Sequence, residues 1–244
     1  MSSIKFLPIK TRALRPPKDD LYPVLDKYLP ALREGDILVI TSKVVAIGQG
    51  RTVKITPELD RDKLIMREAE QFISRRRVPG HFAIITLKGY TLIPSAGIDA
   101  SNADGHLILW PEKPTAAARE IWKHLKKMHG LKRFGIIITD SHTTPLRRGV
   151  GGVSIGFFGF HPVNDLRGKK DLFGRKLKIT TVNVADGLAA SAVLLMGESN
   201  EGTPLLLIRG ADFVRFTNRD TYRELVMHPK TDLYAPLLKA FKKK

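Results

Sequence analysis

Residues Ile136–Gly152, IIITDSHTTPLRRGVGG, place the tightest constraint on how this chain can fold. Phe134 to Thr139 is a run of apolar and β-branched residues, the side chains that fit a buried pleated strand. It passes directly into an acid, a hydroxyl and an imidazole: Asp140, Ser141 and His142. Arg147, Arg148 and the glycines 149, 151 and 152 follow. A buried strand cannot keep such groups in its middle, so the sheet must end here and present them at its rim. His142 alone is no assignment, because a lone histidine is more often structural than catalytic.

The other strong segments fix the class. DILVITSKVV (Asp36–Val45) reads as a buried strand, after a helical segment interrupted by Pro23 and Pro30. Thr56 and Pro57 read as the start of a helix whose stripe is Leu59, Leu64, Ile65, Phe72 and Ile73. HFAIITLKGYTLIP gives two strands around Lys88–Gly89, and SAGIDASNADG a loop before another strand. Thr115 is placed to cap an amphipathic helix with Ala118, Ile121, Trp122, Leu125 and Met128 on one face and Gly130 as its stop. GVSIGFFGF, LKITTVNVA and TPLLLIRG read as strands, GLAASAVLLMG as a buried helix, and the C-terminus as helical with a frayed lysine end at 242–244. The lack of a steady strand–helix rhythm predicts an α+β fold with mixed or antiparallel sheets and packed helices. The 244 residues suit one domain, with two sub-lobes dividing near residue 130.

Composition narrows the function. There is no cysteine, which excludes disulfides and thiolate metal sites. No apolar run reaches the ~18 residues of a membrane span, and the N-terminal segment lacks the apolar stretch of a secretory signal. A cytoplasmic protein with no membrane partner is the expectation. The 41 Lys and Arg against 24 Asp and Glu give a net charge of +17, which draws nucleotides, nucleic acid and polycarboxylates.

Two loops carry the candidate chemistry. AGIDASNADG places Asp99 and Asn102 among small residues that let backbone approach a ligand. In the second loop, Asp140 with the Ser141 hydroxyl suits a hard cation such as Mg²⁺ or Mn²⁺. Arg147 and Arg148 there are suited to phosphate oxygens. Asx and ST turns would account for the same residues without a ligand. Neither GxxxxGK[ST] nor GxGxxG occurs, so the two commonest phosphate-binding loops are excluded.

Six stretches in order resemble the coenzyme F-420 gamma-glutamyl ligase family: GDILVITSKVVAIGQGR, SAGIDASNADG, IIITDSHTTPLRRGVGGVSIGFFGF, NDLRGKKDLFGRKL, VADGLAASAVLLMGE and LLLIRG. The resemblance implies a family-specific α+β fold and an intertwined homodimer. It also implies GTP- and divalent-metal-dependent (Mg²⁺ or Mn²⁺) amide formation between L-glutamate and a carboxylate acceptor. By position it implies Asp99, Asp140 and Ser141 as metal ligands. Thr11, Arg12, Ala13, Leu14, Ser42, Lys43, Asn102 and Arg148 are implied at the nucleotide, GTP or ATP, with Asp140 and Arg147 catalytic.

The chain departs from the family pattern at four places. Ile47 stands for a second lysine, Gly187 for a glutamate, and Thr144 and Leu146 for an arginine and a tryptophan. The last two predict an acceptor other than the deazaflavin coenzyme, such as an acidic partner or a protein terminus. The first two, with the net charge, leave a catalytically degenerate nucleotide- or nucleic-acid-binding member as the alternative.

Overall fold

The computed structural model describes residues 3–243. In chain order, β1 (Lys5–Ile9), α1 (Tyr22–Tyr28), β2 (Ile37–Thr41) and α2 (Ser42–Gly48) come first. Then come β3 (Thr52–Lys54), α3 (Arg61–Glu68), β4 (Gln71–Ile73), β5 (Ile85–Lys88), β6 (Thr91–Pro94) and β7 (His106–Ile108). α4 (Pro114–His129), β8 (Gly135–His142), β9 (Gly151–Phe158), β10 (Val163–Asp165), β11 (Thr181–Asn183), α5 (Val184–Met196) and β12 (Leu205–Arg209) complete the main body. The short helices α6 (Tyr222–Leu225) and α7 (Ala235–Leu238), and β13 (Lys242–Lys243), close the chain.

The principal sheet has the order β1-β12-β2-β8-β9. Only β2 and β8 run parallel; the other neighbours are antiparallel. This is the expected α+β class with a mixed sheet. The central strands are apolar at successive positions because both faces are covered. Leu38, Ile40, Ile136, Ile138, Leu205 and Leu207 face one core, shared with Ile121 and Leu125 of α4. Ile37, Val39, Ile137, Leu206 and Ile208 face the other, packed on Ala185, Leu188, Ala189 and Ala192 of α5. Alternation along each strand thus feeds two cores at once, each Å² of apolar surface contributing roughly 25 cal/mol.

The segment between α2 and α4, joined by the C-terminal β13, builds a smaller lobe. β13, β4, β5 and β6 form a four-stranded sheet, and β3 pairs with β7. Leu64, Ile65, Ile84, Ile98, Leu107 and Leu109 make its separate core. Arg51 and Lys88 share the Glu68 carboxylate at 2.6 and 2.9 Å, with Lys88 over the ring of Trp110, a residue of the main core.

Several elements differ from the sequence reading. Ser42–Val45 is not strand: the chain turns into α2 straight after Thr41, and Val44 and Val45 are buried in the main core from the helix. Pro23 opens α1 instead of interrupting it, as its missing N–H allows. Asp60, not Thr56, caps α3, accepting from Lys63 N at 3.0 Å. Phe72 and Ile73 belong to β4, where alternation outweighs helical spacing. Pro114 starts α4 ahead of Thr115, and Met128 lies on its exposed side. Gly130 does end α4, in the left-handed region at φ 66°. LKITTVNVA yields only β11 before α5 begins, since Asn183 caps the helix by accepting from Asp186 N. Lys242 and Lys243 pair with β4 instead of ending a helix, and Lys244 lies outside the described residues. No helix among those residues is long and apolar enough to cross a membrane.

Candidate functional site

The carboxyl ends of parallel strands are where open α/β sheets bind ligands, because side chains and loops diverge there. In this sheet that place is the shared end of β2 and β8, where Thr41 stands opposite Thr139. Past Thr41 come Ser42 and Lys43; past Thr139 come Asp140 and Ser141. A register shift between β8 and β9 falls between Ile138 and Thr139. Such an irregularity increases local twist and re-aims the residues after it. The Thr139 hydroxyl donates to Val153 O at 3.0 Å and holds the distortion. β8 itself continues through His142, so Asp140 and Ser141 lie on its last turn-out and not in the loop beyond.

The first loop folds in against this end. Ser95, Ala96 and Gly97 all have positive φ, at 54°, 55° and 70°, and Asn102 follows at 53°. Left-handed backbone at non-glycine residues costs of order 1 kcal/mol each and persists where the surroundings impose it. The bends bring Asp99 to Lys43, whose ammonium lies 2.7 Å from the carboxylate. Ser101 completes the clasp: its N–H donates to Asp99 at 2.7 Å and its hydroxyl at 2.9 Å, while Lys43 donates to its oxygen at 2.8 Å. Burial raises the Asp99 pKa, but Lys43 and Ser101 outweigh it and hold the group below its ordinary value. Asn102 Nδ2 donates to Ser199 O at 2.7 Å, tying this loop to the α5–β12 connection.

Asp140 is set the other way. Burial raises its pKa to about 6, against the Trp110 indole N–H, the Ser141 N–H and the Lys43 charge; the nearby Asp99 adds to the rise. Ser141 Oγ donates to Glu198 at 2.6 Å.

These groups line one cavity of about 330 Å³. Thr11, Arg12, Ala13 and Leu14 contribute from the N-terminal segment, Lys43 and Ile47 from α2, and Asp99, Asn102, Asp140 and Ser141 from the two strand-end regions. The remaining wall is GESNEG, 197–202, between α5 and β12. Its glycines at 197 and 202 have φ 83° and 70°, and a side chain at 197 would overlap the Glu201 carboxylate. Thr11 N donates to Gly202 O at 3.0 Å and closes the ring. Glu198 and Glu201 were missed in the sequence reading. The signal was present, as acids within a glycine-bounded link between a helix and a strand.

Other expected residues do not reach the cavity. Arg147 and Arg148 lie in the exposed segment 143–150, with Leu146 fully exposed beside them at φ 63°. Ser42 is buried at the start of α2, so only its neighbour Lys43 faces the cavity. Of the four departures, only Ile47 lines the wall; Gly187 is exposed, with open space where a side chain would go.

The lining is acidic although the protein is strongly basic. Asp99, Asp140, Glu198 and Glu201 stand against Arg12 and Lys43. Arg12 is bound to Asp19 by two hydrogen bonds of 2.5 and 2.8 Å, and Lys43 to Asp99. Among the described residues no three His, Asp or Glu side chains are already gathered around an ion-sized point. The donor set fits a hard divalent cation in kind, being carboxylate and hydroxyl oxygen, and its internal partners are ones a cation would displace.

Comparison with known proteins shows the family. The profile of the F420-0:Gamma-glutamyl ligase family matches residues 8–210. The coenzyme F420:L-glutamate ligase of Methanopyrus kandleri is 34% identical over 253 residues, 96% of this chain and 98% of its own length. The enzyme of the same name from Methanocaldococcus jannaschii is 34% identical over 83% of this chain and 86% of its own. That of Methanosarcina mazei is 39% identical over 75% of this chain and 76% of its own. The matched span contains β2, β8, β9 and β12 of the principal sheet and every residue that lines the cavity, and the chain belongs to the F420-0:gamma-glutamyl ligase family of enzymes.

Proposed function

We propose that this chain is a GTP- and divalent-metal-dependent ligase that joins L-glutamate to a carboxylate acceptor by way of an acyl phosphate. One observation carries the reading: Thr11–Leu14, Lys43, Asp99, Asn102, Asp140 and Ser141, distant in sequence, meet around one cavity. A carboxylate is a poor electrophile. Transfer of the terminal phosphoryl group to one of its oxygens gives an acyl phosphate and releases the nucleoside diphosphate. The glutamate amine then attacks the acyl carbon, phosphate departs, and the nitrogen gives up a proton. Phosphoryl transfer is served chiefly by positioning and by charge placed where charge develops.

The residues divide that work. Asp99, Asp140 and Ser141 are proposed to hold Mg²⁺ or Mn²⁺, which when bound offsets the charge of the phosphate oxygens. Lys43, released from Asp99, supplies a cation to the phosphate. Asn102 fixes the wall against which the nucleotide lies. Arg147 and Arg148 serve phosphate only if segment 143–150 folds over the cavity. Assembly as a homodimer belongs to the same reading, and light scattering tests it.

For the acceptor we propose the deazaflavin coenzyme F420, which stands beside L-glutamate in the relatives' names. Thr144 and Leu146 argued for a different acceptor, but they sit in the exposed segment and not at the cavity. The experiment is incubation with labelled glutamate, GTP, Mn²⁺ and the deazaflavin, with mass identification of the product. A product heavier by one glutamate residue is expected. No nucleotide binding at millimolar GTP or ATP in calorimetry would refute the reading.

A further inference from the structure

The indole of Trp110 reaches the site without lining the cavity. It is buried, with the main core on one side, and its Nε1–H donates to Asp140 Oδ2. The residue is held from several sides. Arg51 Nε donates to the Trp110 carbonyl at 3.1 Å. The Lys88 ammonium lies 5.5 Å from the ring centre, and Glu68 holds both Lys88 and Arg51. The ring also packs directly on Gly97, φ 70°, where any side chain would overlap the indole nitrogen itself. Gly97 precedes Asp99 by two residues. The strained loop that delivers Asp99 is therefore shaped around the same ring that holds Asp140.

We propose that Trp110 is a positioning residue, whose N–H fixes the orientation of the Asp140 carboxylate toward the cavity and couples it to the Asp99 loop. A carboxylate hanging from a strand end rotates about its terminal bond. Tethering one oxygen to a buried indole restricts that rotation and sets the direction in which the carboxylate meets a ligand. Groups that hold ligand side chains in this way typically change metal affinity 10- to 100-fold when removed. The inference rests on the metal reading of Asp140 given above.

The test compares two tryptophans. Trp122 is also buried, and its N–H donates to the Phe134 carbonyl at 3.0 Å, away from the site. Mn²⁺ affinity is measured by electron paramagnetic resonance on the full chain, the Trp110→Phe variant and the Trp122→Phe variant. Phenylalanine keeps an aromatic ring near Lys88 and removes the donor together with some ring volume, a loss that Trp122→Phe, also at a buried tryptophan, reproduces away from the site. The expected result is about a 10-fold weaker Mn²⁺ affinity for Trp110→Phe and less than about 3-fold change for Trp122→Phe. In the Trp122→Phe protein, where Trp110 emits alone, Mn²⁺ titration is expected to shift the emission; this readout holds even if Trp110→Phe fails to fold. Unchanged affinity in Trp110→Phe, or unchanged emission while Mn²⁺ binds, overturns the proposal alone. No Mn²⁺ binding by the unsubstituted chain overturns the metal reading and this inference with it.

Discussion

The two polar loops look alike in sequence and differ in structure. AGIDASNADG is pulled inward, with Asp99 clasped by Lys43 and Ser101 and Asn102 bonded across to Ser199. TTPLRRGV, 143–150, is exposed throughout. The first has short side chains, few charges and four left-handed residues between 95 and 102. The second has two arginines and a glycine-rich end. Charge density does not tell which of the two enters the cavity wall. What separates them is how their polar groups are satisfied: one within the fold, the other by water.

The largest effect that sharpens this contrast is expected at Gly97. Gly97→Val meets both a forbidden backbone region and the Trp110 ring. A loss of roughly 3 kcal/mol or more in denaturant unfolding is expected, with Mn²⁺ binding abolished. Gly149→Val in the exposed segment shares only the backbone cost, with nothing near its side chain, and should lose about 1–2 kcal/mol. Equal losses would erase the distinction.

Next is Asp99→Asn, which removes charge with little change of volume. Mn²⁺ affinity is expected to fall at least about 100-fold, whereas Arg147→Ala and Arg148→Ala should each change it less than about 3-fold in calorimetry. A large effect at either arginine would show that segment 143–150 joins the site.

A third prediction concerns Asp140 with metal chelated. Its carboxyl has a pKa raised to about 6 in the fold, so the native state favours the protonated form. The resulting destabilisation is absent below the unfolded pKa near 3.8, grows between the two values, and is complete above about 6. Asp140→Asn should therefore be more stable than the parent by about 2–3 kcal/mol at pH 7 and equal to it near pH 4. Urea unfolding at both values in EDTA checks it. A variant less stable at pH 7 would contradict the burial argument.

The smallest effect is at Leu146, exposed and left-handed at φ 63°. Leu146→Asn should gain about 0.5–1 kcal/mol by thermal unfolding, since asparagine tolerates that region. No change in Mn²⁺ affinity is expected alongside it.

Much of the fold was legible because period and length are physical. Ile136–Ile138, Leu205–Ile208 and the Ala118–Leu125 stripe read correctly, since each has one dominant burial pattern. Val44 and Val45 did not: a short apolar run is ambiguous between strand and helix, and only the corner after Thr41 decides it. In the site, Asp99 and Asp140 could be singled out because an acid next to an apolar strand needs a reason. Trp110 could not, because an aromatic beside Leu109 reads as core. Its polar edge acquires meaning only from Gly97 and Asp140, 13 and 30 residues away.

The strand order of the principal sheet also has a consequence for how the chain reaches this state. β1 is made first of the five strands and β12 last, yet β1 pairs with β12 alone. β12 is also what fills the gap between β1 and β2. During synthesis the N-terminal strand therefore waits, unpaired, until residue 209 has emerged, and the cavity wall at Thr11–Leu14 waits with it. Long-range pairings of this kind form slowly, and leave an open strand edge meanwhile. A nascent chain stalled before Leu205 would expose both β1 and one edge of β2, the kind of open strand edge from which misassembly starts.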